Sequence, residues 1–184
     1  MGVKVHSWIS FWFAVTLPVI LWDASYCFMR PRSFVGGDLH WIWAPYTLWQ
    51  EVYGLPSFER GDGFTNAQSL MNIFETAANV LYLYLVHHLP APSPVAPLVG
   101  YSAALCTLAK TVLYWAQEYY CDFCAIGHNG VPELALWVLM NGLWIVVPLA
   151  IVIQLASDIS HHLLASGRVE TAHEKEPISS TKST

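Results

Sequence analysis

The stretch AQSLMNIFETAANVLYLYLV, Ala67–Val86, decides the fold. A helix needs about 20 mostly apolar residues to cross a bilayer, and this stretch supplies them. Inside it lies one carboxylic acid, Glu75. Gln68, Asn72, Glu75, Thr76 and Asn79 recur at steps of three and four, so a helix puts them on one face. An ionisable side chain at membrane depth costs a few kcal/mol or more, so it turns toward protein rather than lipid. The stretch therefore reads as one transmembrane helix of a bundle, with its polar stripe inward.

Three more apolar spans follow the same logic. They run over about Ser7–Met29, Pro97–Tyr119 and Pro132–Leu155. Arg30-Pro31-Arg32 closes the first, and His87-His88-Leu89-Pro90 closes the span already quoted. Pro97 and Pro132 suit first-turn positions, where a missing N–H costs nothing. Pro18 and Pro148 fall inside spans, where neighbouring helices re-satisfy the freed carbonyls. Of the 184 residues, 55% are hydrophobic and 11% charged, with mean hydropathy +0.42. Soluble domains carry roughly 25% charged residues. The expected fold is all-α: an integral membrane four-helix bundle over residues 7–158, with an aromatic loop between helices 1 and 2. A polar, Ser/Thr-rich tail at 167–184 reads as disordered.

Each span has its own inward face. On the first, Trp12, Thr16, Val19, Asp23 and Tyr26 align; on the third, Thr107, Lys110, Thr111, Tyr114, Gln117 and Glu118; on the fourth, Trp137, Asn141, Trp144 and Pro148. The economical arrangement is one cavity holding Asp23, Glu75, Lys110, Asn141 and Trp144. Lys110 has two readings. It locks the helices in a structural ion pair with Asp23 or Glu75, or it tunes one acid so that the two split into proton donor and acceptor. Asn72, Thr76 and Asn79 read first as hydrogen-bond glue between helices. His87 and His88 suit the membrane edge, and His128 a loop. Trp137 and Trp144 suit packing, although a Trp face beside acids also holds a cation.

Other features set boundaries. The net charge is −5, and no basic patch suits a nucleic acid. Cys27 and Cys106 read as small core residues. Cys121 and Cys124 form a lone C-x-x-C that reads as a disulfide or two idle thiols; no metal site is expected. The loop from Phe34 to Gly63 carries Trp41, Trp43, Tyr46, Trp49 and Tyr53, and lies along the interface or folds over the bundle mouth as a lid. The short APSPVAP loop makes the second and third spans antiparallel neighbours. The N-terminus lacks an A-x-A-like cleavage site, so the first span reads as retained; His6 breaks the myristoylation pattern after Gly2. Lys4, Arg168, Lys175 and Lys182 on the terminal side face Arg30, Arg32 and Arg60 opposite, so the positive-inside rule favours cytosolic termini by one residue.

These residues resemble a known family. MNGLWIVVP (Met140–Pro148), VLYWAQE (Val112–Glu118), LWQEVY followed by Gly61-Asp62, Phe74-Glu75-Thr76, and WFAV (Trp12–Val15) followed by Asp23 are together similar to motifs of the EXPERA superfamily. The emopamil-binding protein branch, with its sterol delta-isomerases, is the nearest in pattern, and the sigma-2 receptor belongs to a sister branch. The resemblance covers about three-quarters of the chain, from the first span through the fourth. It implies carbocation chemistry: an acid protonates a ring alkene, and a second carboxylate removes a proton elsewhere. Carried over, Asp23 and Glu75 are the acid/base pair, Trp144 the cation-holding wall, and Asn141 the group that orients a polar function. Lys110, Tyr114, Glu118, Asp62 and Asn79 complete the candidate substrate-binding set.

The chain departs from the isomerase pattern at named places. Val19 or Ile20 stands where those enzymes carry a His, the first acid is Asp rather than Glu, no Arg follows Asp62, and Lys110 has no counterpart. Relatives in specialised metabolism rearrange or cyclise terpenoids on this scaffold, some by opening epoxides. The expectation is therefore a membrane isomerase or terpene cyclase acting on a hydrophobic terpenoid or sterol, with a lean to terpenoids. It needs no cofactor, sits in the endoplasmic reticulum membrane, and allows a homodimer. The alternatives are a non-enzymatic sterol or lipid binder like the sigma-2 receptor, and a structural membrane subunit.

Overall fold

The computed structural model describes residues 3–61 and 63–174. Helices occur in the order α1 (Ser7–Phe28), α2 (Thr47–Trp49), α3 (Leu55–Glu59), α4 (Phe64–His87), α5 (Ala96–Tyr120) and α6 (Val131–Glu174). Four of them, α1, α4, α5 and α6, are long and apolar enough to cross a membrane. This is the all-helical architecture of a multi-pass membrane protein. α4 packs between α1 and α5, and α5 packs on α6. The short turn between α4 and α5, tied by Ser93 N–H donating to Leu85 O, makes those two neighbours antiparallel.

The apolar residues sort by face. Phe74 is 63% exposed while Glu75 beside it is 3% exposed. One residue turns a helix by about 100°, enough to swing from lipid to interior. Phe11, Leu139, Val146 and Ile153 also point outward. Hydrophobicity alone does not press such helices together, because lipid is as apolar as leucine; close packing and internal hydrogen bonds do that. Among the described residues the largest buried apolar cluster lies toward the chain termini. Ile9 and Phe13 of α1, Tyr82 and Val86 of α4, Ala96 and Ala104 of α5, and Ile151 and Leu155 of α6 form one buried cluster. Gly100 permits the approach: a Cβ there would lie 2.7 Å from the Tyr82 ring and 3.0 Å from Leu155 Cδ1. A polar rim caps this end, with His6 Nε2 2.6 Å from Asp158 Oδ2 and His87 Nε2 2.9 Å from Ser10 Oγ.

The opposite end is covered by the aromatic loop, which folds inward over the mouth. It passes through a 3-10 segment (His40–Tyr46), α2, a π turn (Gln50–Gly54) and α3. Trp43 Nε1 donates to Trp22 O, and Trp22 Nε1 donates to Ile42 O, so the loop is stitched to the end of α1. Val52 and Tyr53 pack with Ala125, Ile126 and Trp137, joining the loop to the α5–α6 turn. His128 Nε2 lies 3.0 Å from Glu51 O, Asn129 donates to Val52 O, and Arg60 donates to Cys124 O.

Several sequence expectations change. α6 does not stop near Leu155 but runs 44 residues to Glu174, through the first part of the expected tail. Residues 156–174 contain no proline to break the helix, so it continues past the point where hydropathy falls. The rest of that tail, 175–184, lies outside the described residues. Cys27 is buried, but Cys106 is exposed, on the side of α5 away from Thr107. Cys121 and Cys124 form a disulfide, the first of the two outcomes expected of the C-x-x-C.

Candidate functional site

Beneath the lid, the four long helices part around a cavity of about 350 Å³. Ligand sites commonly enclose about 300–1,000 Å³. Asp23 reaches it from α1, Glu75 from α4, Lys110 and Tyr114 from α5, and Asn141 and Trp144 from α6. Six of the candidate residues are thus brought together. Two others, Asn79 and Glu118, are not in the lining. Asp62 lies outside the described residues. Asn79 is buried a turn beyond Glu75, among the packed helices. Glu118 is buried at the end of α5, where Oε2 accepts the backbone N–H groups of Ala125 and Ile126. That geometry shapes the turn before α6, as a carboxylate capping free backbone donors does.

The two acids have different surroundings. Asp23 Oδ1 accepts a 2.8 Å hydrogen bond from Tyr46 Oη, delivered by the lid. Burial, and then the neighbouring Asp23 carboxylate, push the Tyr46 hydroxyl well above the usual tyrosine range, so Tyr46 acts as donor. Among the described residues Glu75 is held from α5: Thr107 Oγ1 donates to Oε2 at 2.9 Å, and Lys110 Nζ stands 3.0 Å from the same oxygen. Glu75 Oε1 is buried with no hydrogen-bond partner among the described residues. The side chain of Glu75 is 2% exposed and that of Lys110 is 14%. Lys110 is therefore the member of the pair that the cavity reaches more readily.

Lys110 is itself held in place. Its ammonium also donates to Asn72 Oδ1, and Gln68 Nε2 donates to Lys110 O. Of the two acids read as partners of Lys110, the geometry pairs it with Glu75, not Asp23. Asn141 Nδ2 donates to Trp137 O, one turn back on its own helix. Trp144 meets Trp12 edge to face at 5.3 Å, bridging the seam between α6 and α1. Tyr114 Oη accepts from Trp137 Nε1 at 3.3 Å, and its ring packs against Tyr53 of the lid.

Sequence reasoning missed Tyr46 as a site residue. Pro45, Leu48, Trp49 and Tyr53 line the cavity with it. The signal was the aromatic density of HWIWAPYTLW, but the partner of each ring was not readable from spacing. Glu118, Cys121 and Cys124 place ligand atoms within 4.8 Å of one another. Both sulfurs are committed to the disulfide, a poor donor set for a metal. The cavity is thus a mostly apolar chamber with one lid-braced carboxyl, one ion pair and an aromatic wall. No protein-family model matches the chain, and no curated protein or solved structure matches it either.

Proposed function

We propose that this protein is a membrane-embedded isomerase or terpene cyclase of the emopamil-binding type. Its substrate is a hydrophobic terpenoid or sterol. One acid gives a proton to an alkene or epoxide, a cation forms, and a second group takes a proton from another carbon, so the substrate's composition is unchanged. Asp23 acts directly on the substrate, and Glu75 acts with Lys110. The rings of Trp144 and Tyr46 face the developing charge. A lid over the chamber limits the water that would otherwise capture the cation. The observation that carries this reading is the placement of Asp23 and the Glu75–Lys110 pair around one apolar cavity on different helices. The same reading carries an endoplasmic reticulum location and allows a homodimer.

Membranes containing the protein, incubated with terpenoid and sterol candidates in D2O, test it. Deuterium in an isomerised or cyclised product, lost in Asp23→Asn, is the expected result. A second reading, a non-enzymatic sterol or lipid binder, draws support from the near-complete burial of Glu75 in an ion pair. It takes the lead if no candidate is turned over while an amine sterol mimic still binds in a Glu75-dependent way.

A further inference from the structure

The ammonium of Lys110 offers three N–H donors. One goes to Asn72 Oδ1 and one to Glu75 Oε2. The third has no acceptor among the described residues, while the side chain remains partly open to the cavity. Pairing with Glu75 balances the charge of Lys110 but leaves this donor unused. An apolar ligand that displaced water from it would strand an N–H in a low-dielectric chamber, at a cost comparable to a lost charged hydrogen bond. A hydrocarbon alkene has no lone pair to offer there. An ether, epoxide or carbonyl oxygen does.

We propose that Lys110 is a substrate-contacting residue that donates its free N–H to an acceptor oxygen on the ligand. The ligand class is accordingly an oxygenated terpenoid rather than a pure hydrocarbon. For this contact Glu75, Asn72 and Thr107 are positioning residues, because they aim the ammonium. Asp23 lines the same cavity from α1, braced by Tyr46, so the bound oxygen and the proton-exchanging acid meet the ligand from different helices. This rests on the reading that the cavity takes a terpenoid or sterol, but it concerns recognition and not turnover.

The test uses full-length protein in lipid nanodiscs and three probes of similar size: farnesene, farnesene 10,11-epoxide and a matched sesquiterpenoid ketone. Binding is followed by quenching of tryptophan fluorescence, since Trp49 and Trp144 line the cavity. The expected result is that at least one oxygenated probe binds roughly ten- to a hundredfold more tightly than farnesene. The better of the two names the kind of oxygen. Lys110→Met alone strands Glu75 and endangers folding, so the deciding variant is Lys110→Met with Glu75→Gln, which removes both charges together. It should bind all three probes alike; Glu75→Gln alone, which strands the Lys110 ammonium in turn, should retain the preference in nanodisc protein shown by thermal unfolding to be folded. Equal binding of all probes by the wild type, or a preference that survives in the double variant, overturns the proposal. Deuterium incorporation without any oxygen preference sinks this assignment and leaves the acid–base reading standing. An oxygen preference without turnover does the reverse.

Discussion

The hydroxyl of Tyr46, on the lid, donates a 2.8 Å hydrogen bond to Asp23, on the first transmembrane helix. The acid and the lid are therefore coupled: a lid that swings away takes with it a donor that Asp23 has been given at membrane depth.

Tyr46→Phe tests that coupling. It keeps the ring, which packs edge to face on Trp22 and Tyr26, and removes only the hydroxyl. A hydrogen bond to a charged group contributes about 1.5–3 kcal/mol, so turnover should fall roughly tenfold or more while the protein stays folded. Turnover of an active substrate, read beside thermal unfolding in detergent, separates the two effects. Unchanged turnover would remove Tyr46 from the site.

The Glu75–Lys110 pair should behave as a unit in stability. Removing one partner of a buried pair typically costs about 3–5 kcal/mol, while replacing both is often close to neutral. Lys110→Met should therefore destabilise more than Lys110→Met with Glu75→Gln. A double-mutant cycle on unfolding in mild detergent measures this, and additive losses would argue against coupling between the two.

Gly100→Leu should loosen the helix bundle at the end away from the cavity. Even a Cβ would sit 2.7 Å from the Tyr82 ring, so the larger chain must push α5 off α4. Overpacking of this kind costs about 1–3 kcal/mol or more. The expected readout is a lower unfolding temperature, with ligand affinity changed less than stability. Gly142→Ala, where an added Cβ meets nothing within 4 Å, is the matched control.

The Cys121–Cys124 disulfide lies in the turn that anchors the lid through Cys124 O, Glu51 O and Val52 O. Opening it with a dithiol reductant, or by Cys121→Ser with Cys124→Ser, should raise amide hydrogen exchange across residues 46–60. Exchange in the α4–α5 hairpin should not follow. Equal protection in both forms would show that packing of Val52 and Tyr53 on Trp137 holds the lid by itself.

Much of this architecture was legible in the chain. Four apolar stretches set four helices, because the backbone must satisfy its own hydrogen bonds in hydrocarbon. The period of the polar residues told which face of each helix turned inward, and so brought Asp23, Glu75, Lys110, Tyr114, Asn141 and Trp144 toward a common centre. The same periodicity did not separate Glu118 and Asn79 from that set. Helical phase reports direction around an axis and only roughly the depth at which neighbouring helices part, so it did not distinguish a residue in the packed zone from one in the cavity.

The sequence by itself determined the class of fold, the inward stripes and the presence of ionisable groups that need partners at membrane depth. Only the tertiary structure decided which partners they have. It gave Glu75 to Lys110 and Thr107, and Asp23 to Tyr46 from the lid. It also extended α6 to Glu174 and turned Cys106 outward. The physical reason is range. Periodicity and hydropathy act within one helix, whereas a hydrogen bond between α1 and a loop 23 residues away depends on how separate elements pack.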